Sequence, residues 1–241
     1  MIPEIWVDQL YKLRCRLNVK QRLLFKIRKV KLLISRNSDI SKYIESHKVR
    51  KIQIGCGPNP IDNWLNTDID AKRGIVYIDA TMPLPIPDNC FDYVFSEHMF
   101  EHISYREGSA FLRETYRILK SGGKIRIATP DLEFLIRLYN FSDSDLEQRY
   151  IRMEVDNFIE HPKVYTRSNV INNFFYNWGH RFIYDYEMLA HTLCEAGFSD
   201  IQRLQPKLSD DIDLRGLEKH GKLISDEFNA YESIVLEARK P

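Results

Sequence analysis

The chain has 241 residues, 44% of them hydrophobic and 29% charged, with a net charge of +1. That length suits one globular domain with an appendage, or two small domains, and it is enough to bury a sizeable core. No apolar run approaches the ~18 residues of a membrane-spanning helix. The four cysteines, Cys15, Cys56, Cys90 and Cys194, form no C-x-x-C pair, which excludes a zinc ribbon or disulfide framework and favours a reducing, cytoplasmic setting.

The charge is unevenly spread. Residues 1–50 hold 13 Lys and Arg against 4 Asp and Glu, a net +9, while the rest hold 22 against 30, a net −8. The chain therefore reads as a basic N-terminal helical arm, residues 1–48, on a mildly acidic body, residues 49–241. Charges interrupt every apolar stretch of the arm, so no signal peptide is expected. Leu23, Leu24, Ile27, Val30, Leu33 and Ile34 follow helical spacing with Lys and Arg between them. Such a helix either lies on an anionic membrane surface or a partner, or packs on the body with its charges solvated. Asp39 is placed to cap a second short helix reaching His47.

From Lys51 the pattern changes to short apolar strands: "KIQIGCG", "NWLNTDID", "IVYIDA" and "FDYVFS". A helix over Tyr105–Lys120 and a turn at "SGG" lead into a fifth strand, "KIRIATP". Strands alternating with helical stretches indicate a parallel α/β sheet. Residues 131–179 read as helices without strands, a helical insertion. An amphipathic helix ending at Gly197 and two last strands, "DIQRLQPK" and "YESIVLEARK", complete the chain.

The chemistry-bearing residues gather at strand ends. The first strand runs into Gly55-Cys56-Gly57, a turn through which backbone can approach a ligand closely. It lacks the third glycine of a dinucleotide fingerprint, which speaks against a nicotinamide oxidoreductase. The second strand ends in Asp68 and Asp70, acids able to hold ribose hydroxyls, and the third ends in Asp79-Ala80. The fourth runs into "SEHMFEHI", in which His98, Glu101 and His102 spell the H-x-x-E-H of inverted zinc proteases. A buried strand immediately upstream puts His98 at a strand-to-helix corner, off any shared helical face with His102. No metal is therefore expected there.

These residues resemble class I S-adenosylmethionine-dependent methyltransferases. The resemblance rests on "IQIGCG", "NTDID", "IDATMPLPIPDNCFDYVFSEHMFEHI" and "LRETYRILKSGGKIRIATPD", over about residues 51–131. It implies a Rossmann-like seven-stranded, mostly parallel sheet in the order 3-2-1-4-5-7-6 with the last strand antiparallel. It also implies S-adenosylmethionine as cofactor, with Gly55, Cys56 and Gly57 at its methionine part, Asp68 at the ribose, Asp79 and Ala80 at the adenine, and Ser96 at the rim. "YNWGHRFIYD" and "SIVLEARKP" look similar to methyltransferases associated with bacterial surface-polysaccharide synthesis, which implies O-methylation of a sugar or glycan precursor. A hydroxyl acceptor calls for a general base, and His98 and His180 are the candidates, with Asp131 third. Phe91, Phe100, Tyr176 and Trp178 are candidates to face the sulfonium. His161, His191 and His220 have no supporting context. The arm would suit a lipid-linked acceptor at the inner membrane face. Another small molecule, RNA, or a non-catalytic cofactor-binding scaffold are the alternatives; the acidic body and the lack of an N-P-P-Y-like motif count against nucleic acid.

One departure from the family stands out. About six residues separate Pro58 from the second strand, too few for the usual crossover helix. The basic arm or Ile40–His47 is expected to cover the sheet face left open.

Overall fold

The computed structural model describes residues 19–72, 74–140 and 144–241, with side chains of the first helix described from Leu32 onward. Helix α1 (Val19–Ser46) leads to β1 (Lys51–Ile54), β2 (Leu65–Asp68), β3 (Val76–Tyr77) and β4 (Phe91–Glu97). A 3-10 turn at Phe100–His102 precedes α2 (Tyr105–Ile118) and β5 (Leu119–Pro130). Three helices, α3 (Leu132–Asn140), α4 (Asp145–Phe158) and α5 (Arg167–Tyr176), follow with no strand between them among the described residues. The chain closes with α6 (Tyr186–Glu195), β6 (Ser199–Leu204), α7 (Gly221–Ile224), α8 (Asp226–Glu232) and β7 (Ser233–Arg239).

The seven strands form one sheet in the order β3-β2-β1-β4-β5-β7-β6. β1 to β5 run parallel, and β7 is antiparallel to both of its neighbours. This is the Rossmann-like order and sense that the resemblance implies. The two-residue side-chain period assigns the faces. Ile52, Ile54, Val94, Ile125 and Ile127 point to one side, where Phe111, Leu112 and Ile118 of α2 and Leu189 and Leu193 of α6 complete the main core. Helix α2 starts on a reciprocal capping box between Ser104 and Glu107, and Asp185 caps α6 through the Met188 amide. Gly197, at φ +101°, ends α6 where a Cβ would sit 2.9 Å from the Tyr116 ring.

Helix α1 runs unbroken through Asp39, so the separate short helix expected there is absent. No Gly or Pro interrupts it, and burial of Ile40 and Tyr43 in the main core anchors its last turns. The Tyr43 hydroxyl donates to the Lys51 carbonyl (2.8 Å) and accepts from the Lys51 amide (3.0 Å), clamping α1 to β1. Leu33 and Ile34 are exposed. The side chains of Leu23, Leu24, Ile27 and Val30, and all of residues 1–18, lie outside the described residues. No helix among the described residues is long and apolar enough to cross a membrane.

Residues 55–64 join β1 to β2 through turns, without a helix. Right-handed crossovers would have placed that helix opposite α2, over Lys51, Gln53, Tyr93 and Phe95. The α1 residues expected to cover this face lie instead on the α2 side, because Ile40 and Tyr43 pack with Ile52, Phe91 and Leu112. Residues 205–220 cover it. Leu214 and Leu217 pack with Trp64 and Phe95. Asp213 pairs with Lys51 (3.0 Å) and Asp211 with Lys124 (2.8 Å). Deepest lies Arg126, fully buried, bonded at 2.6 Å to Glu218 of the covering segment and at 2.6 Å to Glu237 of β7. Its guanidinium also donates to the Leu208 carbonyl (3.0 Å).

Removing Arg126 would strand two carboxylates under the covering segment. Arg126→Ala is expected to lower the unfolding free energy by about 3–5 kcal/mol, measured by urea denaturation; a loss no larger than a surface substitution causes would contradict the buried arrangement.

Candidate active site

The predicted glycine turn stands at the C-terminal edge of β1, with Gly55 at φ +73° and Gly57 at φ +51°. The Gly55 and Cys56 amides both donate to the Thr67 carbonyl at the end of β2, at 2.9 and 3.0 Å. The Gly57 amide donates to Asp68 Oδ2 (2.9 Å), and the Asp70 amide to Asp68 Oδ1 (2.7 Å). Two backbone amides thus fix the Asp68 carboxylate against the glycine turn. Each oxygen keeps a second lone-pair direction, the donor-accepting geometry that a ribose diol needs. On the next strand, the Ile78 amide donates to the Asp68 carbonyl (3.2 Å), and Asp79 follows. Asp79 Oδ1 accepts from the Thr81 amide (3.0 Å) and hydroxyl (2.6 Å), which holds the side chain at the strand end beside half-buried Ala80. Gly55, Asp68 and Asp79 therefore stand on three adjacent parallel strand ends. Ser96 is fully buried within β4, and its hydroxyl has no hydrogen-bond partner among the described residues. Burial, reinforced by the Asp68 charge, pushes the Cys56 thiol up to about 12.

β4 ends at Glu97, and His98 turns the chain with φ +45°. Met99 then folds back over the turn, so that a Cβ on Gly55 would lie 2.4 Å from the Met99 Cγ. The 3-10 turn carries Glu101 and His102, and the capping box at Ser104 opens α2 after them. Glu101 is fully buried. Its Oε2 accepts from the Thr129 hydroxyl (3.0 Å), and its Oε1 faces His98 Nδ1 (3.3 Å) and His102 Nε2 (3.9 Å). The Glu101 carbonyl accepts the amides of Arg181 (2.7 Å) and Phe182 (3.2 Å). This stitches the segment after α5 to the corner and brings His180 to His102, ring centroids 5.0 Å apart. His98 and His180 thus come near one buried carboxylate, a proximity that their 82-residue separation hid.

The electrostatics of the two imidazoles diverge. Burial pulls His98 down, but Glu101, Glu232 and Glu97 outweigh it and raise the imidazole to about 9. Burial pulls His180 to about 4, only partly opposed by Glu101, with His102 and His98 adding to the drop. Burial alone would raise Glu101; His98, His102 and His180 hold it well below the usual carboxylate range.

Asp131, the third candidate base, is engaged elsewhere. Its Oδ1 caps α3 through the Glu133 amide (2.9 Å), and its Oδ2 pairs with Arg203 (2.9 Å). Phe91 and Phe100 are fully buried in the core. Trp178 packs on Phe158 and Phe174, while Tyr176 is 82% exposed. His220, which the sequence left without context, stacks on His98 with ring centroids 3.8 Å apart and pairs with Glu232 (2.9 Å). The Glu97 carboxylate accepts the backbone amides of Lys219 and His220, each at 2.8 Å. "EKHGK" has no periodicity that would have placed His220 there; only the sheet order does.

Comparison with known proteins gives a family match. Residues 57–127 match the family model described as a methyltransferase domain. The matched segment, less than a third of the chain, holds Asp68, Asp79, Ser96 and His98. No curated protein matches the chain. Among solved structures, the chain is similar to an S-adenosylmethionine-dependent methyltransferase of Archaeoglobus fulgidus, with 18% identity, 98% of this chain and 100% of that chain covered, and a TM-score of 0.48. It is also similar to methyltransferases of Thermotoga maritima, with 18% identity, 91% and 96% covered and a TM-score of 0.44, and of Mesorhizobium loti, with 15% identity, 80% and 91% covered and a TM-score of 0.47.

The strand ends suit S-adenosylmethionine in one respect and depart in another. The anchored Asp68 carboxylate fits a ribose. The amino-acid end of the cofactor meets no helix N-terminus after β1, since the crossover helix is missing and the Gly55 and Cys56 amides are spent on Thr67.

Two outcomes follow. Gly55→Ala forces a side chain into positive φ against Met99 and should cost about 1–3 kcal/mol of stability in thermal or urea unfolding. Iodoacetamide on the folded protein should label exposed Cys194 and spare buried Cys56 and Cys90 until denaturant is added, as read by peptide mass spectrometry.

Proposed function

We propose that the methyltransferase methylates a hydroxyl of a sugar or glycan precursor. Bound S-adenosylmethionine supplies an electrophilic methyl group on a sulfonium. The chain's residues hold it and present the acceptor. Asp68 accepts from the ribose hydroxyls, Asp79 and the Ala80 backbone read the adenine, Gly55, Cys56 and Gly57 line the methionine side, and Ser96 stands in the strand that forms the rim. His98, at the end of β4, and His180, returned to the same edge by the Glu101 carbonyl, flank the acceptor, and orientation there carries much of the rate.

The observation that favours a sugar is the aromatic end of α5. Phe175 and Tyr176 stand 42% and 82% exposed immediately before the Trp178-Gly179-His180 turn. An exposed apolar patch leading into a polar site marks a ligand or partner surface, and aromatic faces suit the apolar faces of sugar rings. In this reading residues 131–179 form the substrate-side insertion of the 49–241 domain. The 1–48 arm, where Leu33 and Ile34 are exposed, makes a peripheral membrane or partner contact in the cytoplasm.

Calorimetry with S-adenosylmethionine and S-adenosylhomocysteine tests the cofactor assignment; no binding of either would overturn it. Asp79→Ala should weaken binding by about 5- to 150-fold, the range set by leaving a buried polar partner unmatched. His98→Ala and His180→Ala should bind cofactor as the parent does. With a panel of sugar acceptors, both should lose turnover, and loss of cofactor binding instead would move these histidines out of the acceptor side.

A further inference from the structure

We propose that Glu101, His102 and His180 form a binding site for one divalent transition-metal ion of the zinc type. Their ligand atoms lie within 4.8 Å of one another. One carboxylate and two imidazoles make a three-ligand set that zinc and related ions accept, with a further position open to water or substrate.

Two of the three ligands are oriented from behind. Thr129 holds Glu101 Oε2 at 3.0 Å, which leaves Oε1 toward the histidines. That oxygen is buried and accepts no well-formed hydrogen bond; it carries only the ion pairs to His98 (3.3 Å) and His102 (3.9 Å). His180 Nδ1 lies 2.7 Å from the Phe174 carbonyl. That contact places the proton on Nδ1 and leaves the Nε2 lone pair free, the arrangement found behind metal-bound imidazoles. His102 Nδ1 is buried with no hydrogen-bond partner among the described residues. The His102 and His180 rings are inclined at 68°, so both in-plane lone pairs can aim at one point. Metal–nitrogen bonds of about 2.0–2.1 Å require ligand atoms about 3.3–3.5 Å apart, so side-chain shifts of about 1 Å close the site.

A second set, His98, His220 and Glu232, is equally compact, but its atoms are already used. His220 Nε2 bonds Glu232 Oε1 (2.9 Å), Glu232 Oε2 accepts from the Tyr150 hydroxyl, and His98 Nε2 meets the Ser233 hydroxyl (3.3 Å). The unmet hydrogen-bonding capacity at Glu101 and His102 distinguishes the first set. The use of the ion rests on the O-methylation reading: an acceptor hydroxyl in the open position would release its proton to solvent near neutral pH.

The test uses the tag-free full chain, dialysed against chelator and titrated with Zn²⁺ by calorimetry and with Co²⁺ by visible absorption. One equivalent should bind, with the visible bands of low-symmetry Co²⁺. His102→Ala and His180→Ala should each weaken binding by at least about tenfold, while His161→Ala, at an exposed position, leaves it unchanged. His180 packs on Trp178, so if its variant unfolds, the half-exposed His102 variant decides. Substoichiometric binding, or stoichiometric binding undiminished in His102→Ala, overturns the site. S-adenosylhomocysteine binding is measured on the metal-free chain, so its failure would count against the methyl-transfer reading and leave the metal result standing.

Discussion

The ten residues between β1 and β2 constrain everything around them. A parallel crossover normally spends a helix, and that helix seals one side of the sheet. Here it is absent, so Lys51, Gln53, Tyr93, Phe95, Lys124 and Arg126 look onto a face that local sequence does not cover. The chain solves this from far away, with the segment between β6 and α7. Two leucines supply the apolar contact, and a row of acids meets a row of bases. Burying Arg126 completely is tolerable only because two carboxylates and a backbone carbonyl meet it.

Much of this architecture was legible from the residues. Gly55, Asp68 and Asp79 close successive apolar runs, and strand ends announce themselves because burial and turn chemistry are local signals. The strand order followed from resemblance, and the missing crossover helix from counting residues. What covers the open face was not legible. Tyr43 and Ile40 have the spacing of a packing helix, but nothing local says which side of a sheet they reach. Leu214 and Leu217 sit in a segment without periodicity. The same applies to His220, whose partner Glu232 lies on a helix that the sequence reading merged into the last strand.

The corner after β4 concentrates the chemistry around one buried acid. A buried carboxylate must be matched by positive charge and donors, and Glu101 meets the Thr129 hydroxyl and His98, with His102 and, from a distant segment, His180 beside it. The opposite displacements of His98 and His180 come from one arrangement: the first stands among several acids, while the second is buried near only one and beside other histidines. A motif familiar from helices thus lies here without a shared helical face, and His180, from elsewhere in the chain, stands beside His102.

Glu97 receives the amides of Lys219 and His220, the end of the same segment that seals the back of the sheet. One stretch of chain therefore has two anchorages, a buried arginine beneath the strands and a carboxylate at their C-terminal rim. The segment that seals the hidden side of the sheet is thus the same one that sets His220 against His98, so a change beneath the strands and a change at their rim act on one stretch of chain.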